Sequence, residues 1–247
     1  MSLPFIDIKN AVFGYSQKGR HKEVFRIDSL QLSTARFYTI VGNNGSGKST
    51  FLRTITGLQP LLQGSIKVAG VAIDAIEKQT MAKLLAIVLT NRVGGFNLSV
   101  KDAVQSARMP FTNWYNKLTE TDLIAVEEAI KTVGIGDYLN VPLHELSDGM
   151  FQKTMIARAL AQNTATIALD EPSAYLDYAS KHRLFMLLQH LSEQQQKCVL
   201  ATTHDLDLAL KYSHELLFIE NGNLRQLAVA EAKADLGFRA LSGDFLQ

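Results

Sequence analysis

Nine consecutive residues, Gly42-Asn43-Asn44-Gly45-Ser46-Gly47-Lys48-Ser49-Thr50, carry the clearest chemistry in the chain. Glycines at this spacing let successive backbone amides turn inward, and the positive end of a following helix adds to them, so the segment suits a triphosphate. Lys48 is expected to reach the β and γ phosphates. Ser49 is placed to ligate magnesium, and Thr50 to support the α phosphate. The apolar run 37–41 before the loop, and Phe51, Leu52, Ile55 and Gly57 after it, supply the strand and short helix that such a loop requires. A glycine-rich turn with a solvated lysine would need neither. A second pair, Asp170-Glu171, closes the apolar run 166–169, at the carboxyl end of a strand, where α/β sheets bind ligands. There Asp170 would hold magnesium through a water, and Glu171 would polarise the attacking water. A helix cap ahead of Pro172 is the plainer reading, and it loses ground beside the phosphate loop. His204 ends the next apolar run, where its imidazole could sense a γ phosphate.

These groups need a scaffold, and the hydrophobic pattern outlines one. Runs 37–41, 86–89, 166–169 and 198–201 are short and nearly continuously apolar, the pattern of parallel strands covered on both faces. Ile6 and Ile8 alternate with Asp7 and Lys9, and Ile66 and Val68 with Ser65 and Lys67, which predicts half-buried antiparallel strands at a sheet edge. Thr119 and Asp122 form a capping box ahead of the stripe Leu123, Val126, Ile130 and Val133, which Gly134 stops. Leu184, Leu187, Leu188 and Leu191 make a second helical stripe. From about 97 to 162 helical patterns run without a convincing strand, so this stretch reads as a helical insertion between two core strands. With no internal repeat and one copy of each motif, residues 1–247 read as a single nucleotide-binding domain of α/β class.

Composition narrows the function classes. Hydrophobic residues make up 47% and charged residues 20%, close to the globular average, which argues against a disordered, coiled-coil or fibrous chain. Twenty-five basic and 24 acidic residues leave a net charge of +1, so no global field draws the chain to nucleic acid or anionic lipid. Any link to a membrane would therefore run through a docked partner. The apolar runs 84–89 and 215–219 fall far short of the roughly 18 residues that span a bilayer. The start, Met1-Ser2-Leu3-Pro4-Phe5, lacks a basic region followed by an apolar stretch, so an intracellular chain is expected. Cys198, the one cysteine, lies in a strand-like run and reads as a buried, inert thiol.

The order of elements adds a resemblance. The phosphate loop is followed by Leu146-Ser147-Asp148-Gly149-Met150, then Asp170-Glu171, then Ser173-Ala174-Tyr175-Leu176-Asp177, then His204. This order resembles the ABC ATPases over nearly the whole chain. The resemblance implies a P-loop NTPase core with a mostly parallel sheet, an antiparallel β subdomain and a helical insertion. It implies ATP and magnesium as ligands, and a second copy as the partner in a head-to-tail dimer. Ser147 and Gly149 look like the signature residues that contact the γ phosphate of the opposite subunit. Asp177 looks like the interface aspartate of that family, and Tyr15 like its adenine-stacking aromatic. Arg108-Met109-Pro110, Trp114, the segment 118–122 and Leu160-Ala161-Gln162-Asn163-Thr164 are similar to the importer ATPases for iron-siderophores, haem and cobalamin. Membrane-spanning permease subunits, a solute-binding protein acting indirectly, and a peripheral place on the cytoplasmic side of the membrane are implied with it.

The sequence departs from that family at three places, one of them Ala35-Arg36 ahead of the run 37–41, where the family has Gly-Glu. Thr90, followed by Asn91, stands where the family has a glutamine near the metal, and a hydroxyl reaches less far than an amide. Either residue could serve, depending on the loop's register. Asp148 and Met150 replace a usual glycine and glutamine, setting a carboxylate near the expected phosphate. A non-transport ABC ATPase acting on the ribosome or nucleic acid is the alternative; it predicts linked cassettes, a coiled-coil insertion or a basic face, and none is visible. A P-loop kinase would leave the Ser147 motif without a purpose.

Overall fold

A computed structural model of the protein describes residues 5–17, 20–89, 98–112, 115, 117–235 and 237–238. The strands are β1 (Ile6–Gln17), β2 (Arg20–Leu32), β3 (Arg36–Gly42), β4 (Gln63–Val68), β5 (Val71–Ala72), β6 (Leu85–Val88), β7 (Thr166–Leu169), β8 (Cys198–Thr202), β9 (Glu215–Glu220) and β10 (Asn223–Ala228). The helices are α1 (Lys48–Ile55), α2 (Lys78–Leu84), α3 (Val100–Gln105), α4 (Glu120–Val133), α5 (Asp148–Ala161), α6 (Tyr178–Gln194), α7 (Leu206–Tyr212) and α8 (Val229–Ala232). All ten strands join one sheet in the order β5-β4-β1-β2-β10-β9-β3-β8-β7-β6. From β9 to β6 every neighbouring pair is parallel; β5-β4-β1-β2 is antiparallel.

The parallel block is covered on both faces, as its unbroken apolar runs require. On one face Tyr38, Ile40, Ala168, Leu200 and Leu217 pack with Phe51, Leu52 and Ile55 of α1. On the other, Phe37, Ile167, Leu169 and Val199 meet Leu184, Phe185, Leu188 and Leu191 of α6. Because β3, β8 and β7 are adjacent and parallel, their carboxyl ends lie side by side. The three sequence segments with candidate chemistry follow from those ends.

Two expectations need correction. The alternating strands β1 and β4 are not at the sheet edge: β1 pairs with both β2 and β4, and the edge is the two-residue β5. Alternation reports one covered face, and an inner antiparallel strand has that as readily as an edge strand. In α4 the capping box of Thr119 with Asp122 and the left-handed Gly134 (φ 71°) are present, but Leu123 is exposed and Asp122 is buried. The physical reason is a buried ion pair. Arg108 donates from Nε to Asp122 Oδ1 at 2.8 Å, and from Nη1 to the carbonyls of Ala161 and Gln162 at 3.0 and 3.2 Å, with its guanidinium 4.0 Å from the Phe111 ring centre.

That pair ties α4 to the end of α5 within a core made of Val100, Val104, Val126, Ala129, Ala157 and their neighbours. Arg108→Ala is expected to destabilise the fold by about 3–5 kcal/mol, because it strands a buried carboxylate and two carbonyls. Denaturant unfolding measures it. The Thr119 hydroxyl and amide, with Arg108, hold the Asp122 carboxyl below its ordinary range. Its contribution is therefore present above about pH 4 and is lost as pH falls through the depressed value. Among the described residues no helix is long and apolar enough to cross a membrane.

Candidate functional site

The loop between β3 and α1 is shaped by close approach. A Cβ on Gly42 would lie 2.6 Å from the Ile219 carbonyl oxygen, and Gly47, at φ 107°, would place one 2.7 Å from Val24 Cγ1 and 2.8 Å from Phe25 Cδ1. Only glycine fits at either position. Gly47 also begins α1 with no side chain capping it, which leaves the first-turn amides open to a ligand. Lys48 is buried and donates from Nζ to the carbonyls of Gly42 at 2.9 Å and Asn43 at 3.2 Å. Burial pushes its pKa down, while the nearby carboxylates of Glu171 and Asp170 partly oppose that shift. Among the described residues, Ser46 Oγ is buried without a hydrogen-bond partner.

Across from this loop, Tyr15, Lys22, Glu23 and Val24 close a cavity of about 500 Å³ that Asn44, Gly45, Gly47, Lys48, Ser49, Thr50 and Glu171 also line. Tyr15 is 40% exposed, with the Lys22 ammonium 5.7 Å from its ring centre. A smaller cavity of about 200 Å³ continues past Gly42, Asn43 and Asn44 to Thr203, His204 and Leu206.

The acidic pair stands at the end of β7. The Asp170 amide donates to the Val88 carbonyl at 2.8 Å, and its buried carboxylate accepts from Thr202 Oγ1 at 2.9 Å. Thr202 Oγ1 in turn accepts from the Glu171 amide at 2.7 Å. Glu171 adopts the left-handed region at φ 46°, which costs a non-glycine residue about 1–2 kcal/mol and has to be imposed by its surroundings. The Thr202 hydroxyl is one such constraint. His204 Nε2 lies 2.6 Å from Glu171 Oε1. One loop end therefore offers a buried oxygen ligand, a carboxylate turned to the cavity and an imidazole against it.

Sequence reasoning assigned nothing to Thr202. Its signal was the sheet register: Leu169 pairs with Ala201, so the next residues along the two strands are Asp170 and Thr202. Thr202→Val removes both hydrogen bonds and is expected to destabilise by about 1–3 kcal/mol and to slow ATP hydrolysis several-fold. Thr202→Ser should restore the rate, which a merely volumetric role would not predict; unfolding curves and steady-state turnover read the two effects. Lys22, Glu23 and Val24 were likewise not anticipated.

Other expected residues lie elsewhere. Ser147 caps α5 by accepting from the Met150 amide at 3.3 Å, and Gly149 lets that helix end approach Tyr175, whose carbonyl oxygen would be 3.3 Å from a Cβ there. Asp177 caps α6, with its two carboxylate oxygens accepting from the Ser180 amide at 2.8 Å and hydroxyl at 2.7 Å. None of the three lines the cavities. Thr90, Asn91 and Trp114 lie outside the described residues.

Against known proteins, the family model described as ABC transporter matches residues 25–174, more than half of the chain. The chain belongs to the ABC transporter ATP-binding family. This cassette is 35% identical over 197 residues to the "Probable siderophore transport system ATP-binding protein YusV" of Bacillus subtilis, covering 79% of this chain and 72% of that protein. It is 31% identical over 196 residues to the iron(3+)-hydroxamate import ATP-binding protein FhuC of the same organism, covering 79% and 73%. The fold of a metal-chelate type ABC transporter in an inward-facing conformation superimposes with a TM-score of 0.81 at 24% identity, over 97% of this chain and 89% of that one. The cassette is thus an ATP-binding ATPase, homologous to siderophore and hydroxamate import subunits.

Proposed function

We propose that this cassette energises uptake of an iron chelate, haem or cobalamin, as the ATP-hydrolysing subunit of an importer. The observation that carries the hydrolytic part is that Lys48 and Glu171 line the cavity that Tyr15 borders, while His204, which lines the smaller cavity, lies 2.6 Å from Glu171, and Asp170 stands next to Glu171 at the end of β7. In this reading residues 42–50 cradle the triphosphate and the Lys48 ammonium leaves its two loop carbonyls for the β and γ phosphates. Tyr15 stacks on the adenine. Glu171 orients and polarises the attacking water, and His204 steadies that carboxylate beside the γ phosphate.

Magnesium fits the donors present: Ser49 offers a hydroxyl and Asp170 a buried carboxylate fixed by Thr202, the hard oxygens this ion selects. When bound, it neutralises charge on the β and γ phosphates. Thr90 or Asn91 supplies the further contact that the family draws from a glutamine. Ser147, Gly149 and Asp177 serve a second copy in a head-to-tail dimer. The positions of Ser147 and Gly149 at the start of α5 suit a contact with phosphate, since helix amino termini attract anions.

The remaining parts rest on the importer relatives. The single domain, with a helical subdomain over roughly 97–162, sits on the cytoplasmic side of the membrane against permease subunits, while a solute-binding protein delivers the cargo to them from outside. Met109, Leu123 and Ile124 on the helical insertion are exposed apolar side chains suited to such a contact. A net charge of +1 supplies no global field that would draw nucleic acid. The test is uptake of radiolabelled ferric siderophore, haem and cobalamin by cells lacking this chain. Loss of one uptake, restored by the parent and not by Glu171→Gln, is expected; three unchanged uptakes would refute the importer reading while leaving ATPase activity untouched.

A further inference from the structure

The turn of the phosphate loop carries a dipeptide with a reactivity of its own. Asn44 and Gly45 are both exposed, and Asn44 lines both cavities of the site. Asparagine is thermolabile because the backbone nitrogen of the next residue can attack its side-chain carbonyl carbon and close a cyclic imide. A side chain on that next residue hinders the closure, and so does a hydrogen bond that occupies its amide. Neither hindrance is found at Gly45. It has no side chain, and a Cβ built on it would meet nothing within 4 Å. The turn is closed by the Ser46 amide, which donates to the Asn43 carbonyl at 3.1 Å, and among the described residues no group accepts from the Gly45 amide.

The same dipeptide recurs at Asn221-Gly222, under different constraints. There it turns β9 into β10, both residues are left-handed at φ 50° and 75°, and the Gly222 carbonyl accepts from the Arg26 amide at 2.8 Å. It lines neither cavity. A change at Asn221 would therefore leave the phosphate loop alone, whereas a carboxylate at position 44 would stand among amides suited to an anion and compete with a phosphate for them.

We propose that Asn44 is a modification site: in the empty cassette it deamidates and the new acid closes the phosphate loop to nucleotide, while bound nucleotide protects it. The protection rests on the ATP-site reading of the cavity. The Gly45 nitrogen gives up its proton and bonds to Asn44 Cγ, the bond from Cγ to the side-chain nitrogen breaks, and that nitrogen leaves as ammonia with the proton. Water then opens the imide at Cγ to give aspartate, or at the Asn44 main-chain carbonyl to give isoaspartate, whose backbone runs through Cβ and Cγ. A bound triphosphate opposes the first step, because its oxygens engage the loop's amides and its charge disfavours a deprotonated nitrogen beside it.

The test ages the full chain at mildly alkaline pH in EDTA, with and without ATP. Peptide mapping by mass spectrometry follows the amide-to-acid exchange at Asn44 and Asn221, and calorimetry reads ATP affinity after the ageing. Asn44 should convert several-fold faster without ATP, and the converted chain should bind ATP at least about tenfold more weakly, the scale of one hydrogen bond to a charged group. Conversion at Asn221 should be indifferent to ATP. Asn44→Asp should show the weakened binding from the outset, and Asn44→Gln, whose longer side chain closes the ring poorly, should keep through ageing whatever affinity it starts with. An Asn44 amide that survives conditions converting it in the urea-unfolded chain overturns the modification site, as does an equal loss of affinity in Asn44→Gln. A parent that binds no ATP overturns the ATP site and with it the protection, and the mass at Asn44 still decides the modification by itself.

Discussion

Glu171→Gln is expected to bind ATP as the parent does and to hydrolyse it at least about a hundredfold more slowly, the usual contribution of a positioned acid-base group. The amide keeps the shape of the carboxylate and the left-handed backbone at φ 46° that aims it, and loses only the charge that draws a proton from water. The Glu171 amide still donates to Thr202, and Asp170 still accepts from the same hydroxyl, so a metal held there should be undisturbed. His204 meets an amide in place of a carboxylate at the 2.6 Å contact, and can rotate or change tautomer to keep one hydrogen bond. The variant should therefore accumulate with ATP bound. Single-turnover hydrolysis beside equilibrium binding checks both halves, and normal turnover would reduce Glu171 to a structural cap.

Lys48→Ala should abolish tight nucleotide binding. The residue is 7% exposed, and its ammonium is held by two carbonyls of its own loop until a polyanion arrives. Removing it takes away the one lysine charge in the loop and up to three hydrogen-bond donors, while the triphosphate charge remains to be balanced by backbone amides. Because burial lowers the Lys48 pKa in the empty site, ATP affinity should also fall with alkaline pH sooner than for a solvated lysine. The sign follows from the charged form being the one that binds: above the lowered pKa, a proton must be taken up with the nucleotide. Binding titrations of parent and variant across pH read both effects. Unchanged affinity in Lys48→Ala would refute the loop's assignment.

Much of this was legible in the chain itself. Glycines at 42, 45 and 47 ahead of Lys48 and Ser49 specify a loop by spacing alone, because its geometry is local: one strand end, one turn and one helix start. The parallel strands were legible for a related reason, since burial on both faces leaves a continuous apolar run. Asp170 and Glu171 were legible by their place at the end of such a run.

What tertiary structure decided is what depends on strands far apart in sequence. Thr202 reaches Asp170 and Glu171 only because β8 lies beside β7 in one register, and a one-residue slip would send its hydroxyl to the other face of the sheet. Three consecutive residues, Lys22, Glu23 and Val24, line the cavity because a bulge at Val24 overrides the alternation of a regular strand. Asp122 is buried and Leu123 exposed, against the hydrophobic stripe, because Arg108 supplies a charge 14 residues away in sequence and 2.8 Å away in space. Local pattern fixes which residues can form a loop, strand or helix. Which charged and hydroxyl groups meet is set by pairings across the sheet and between helices, where a single buried partner outweighs a side chain's own preference for water.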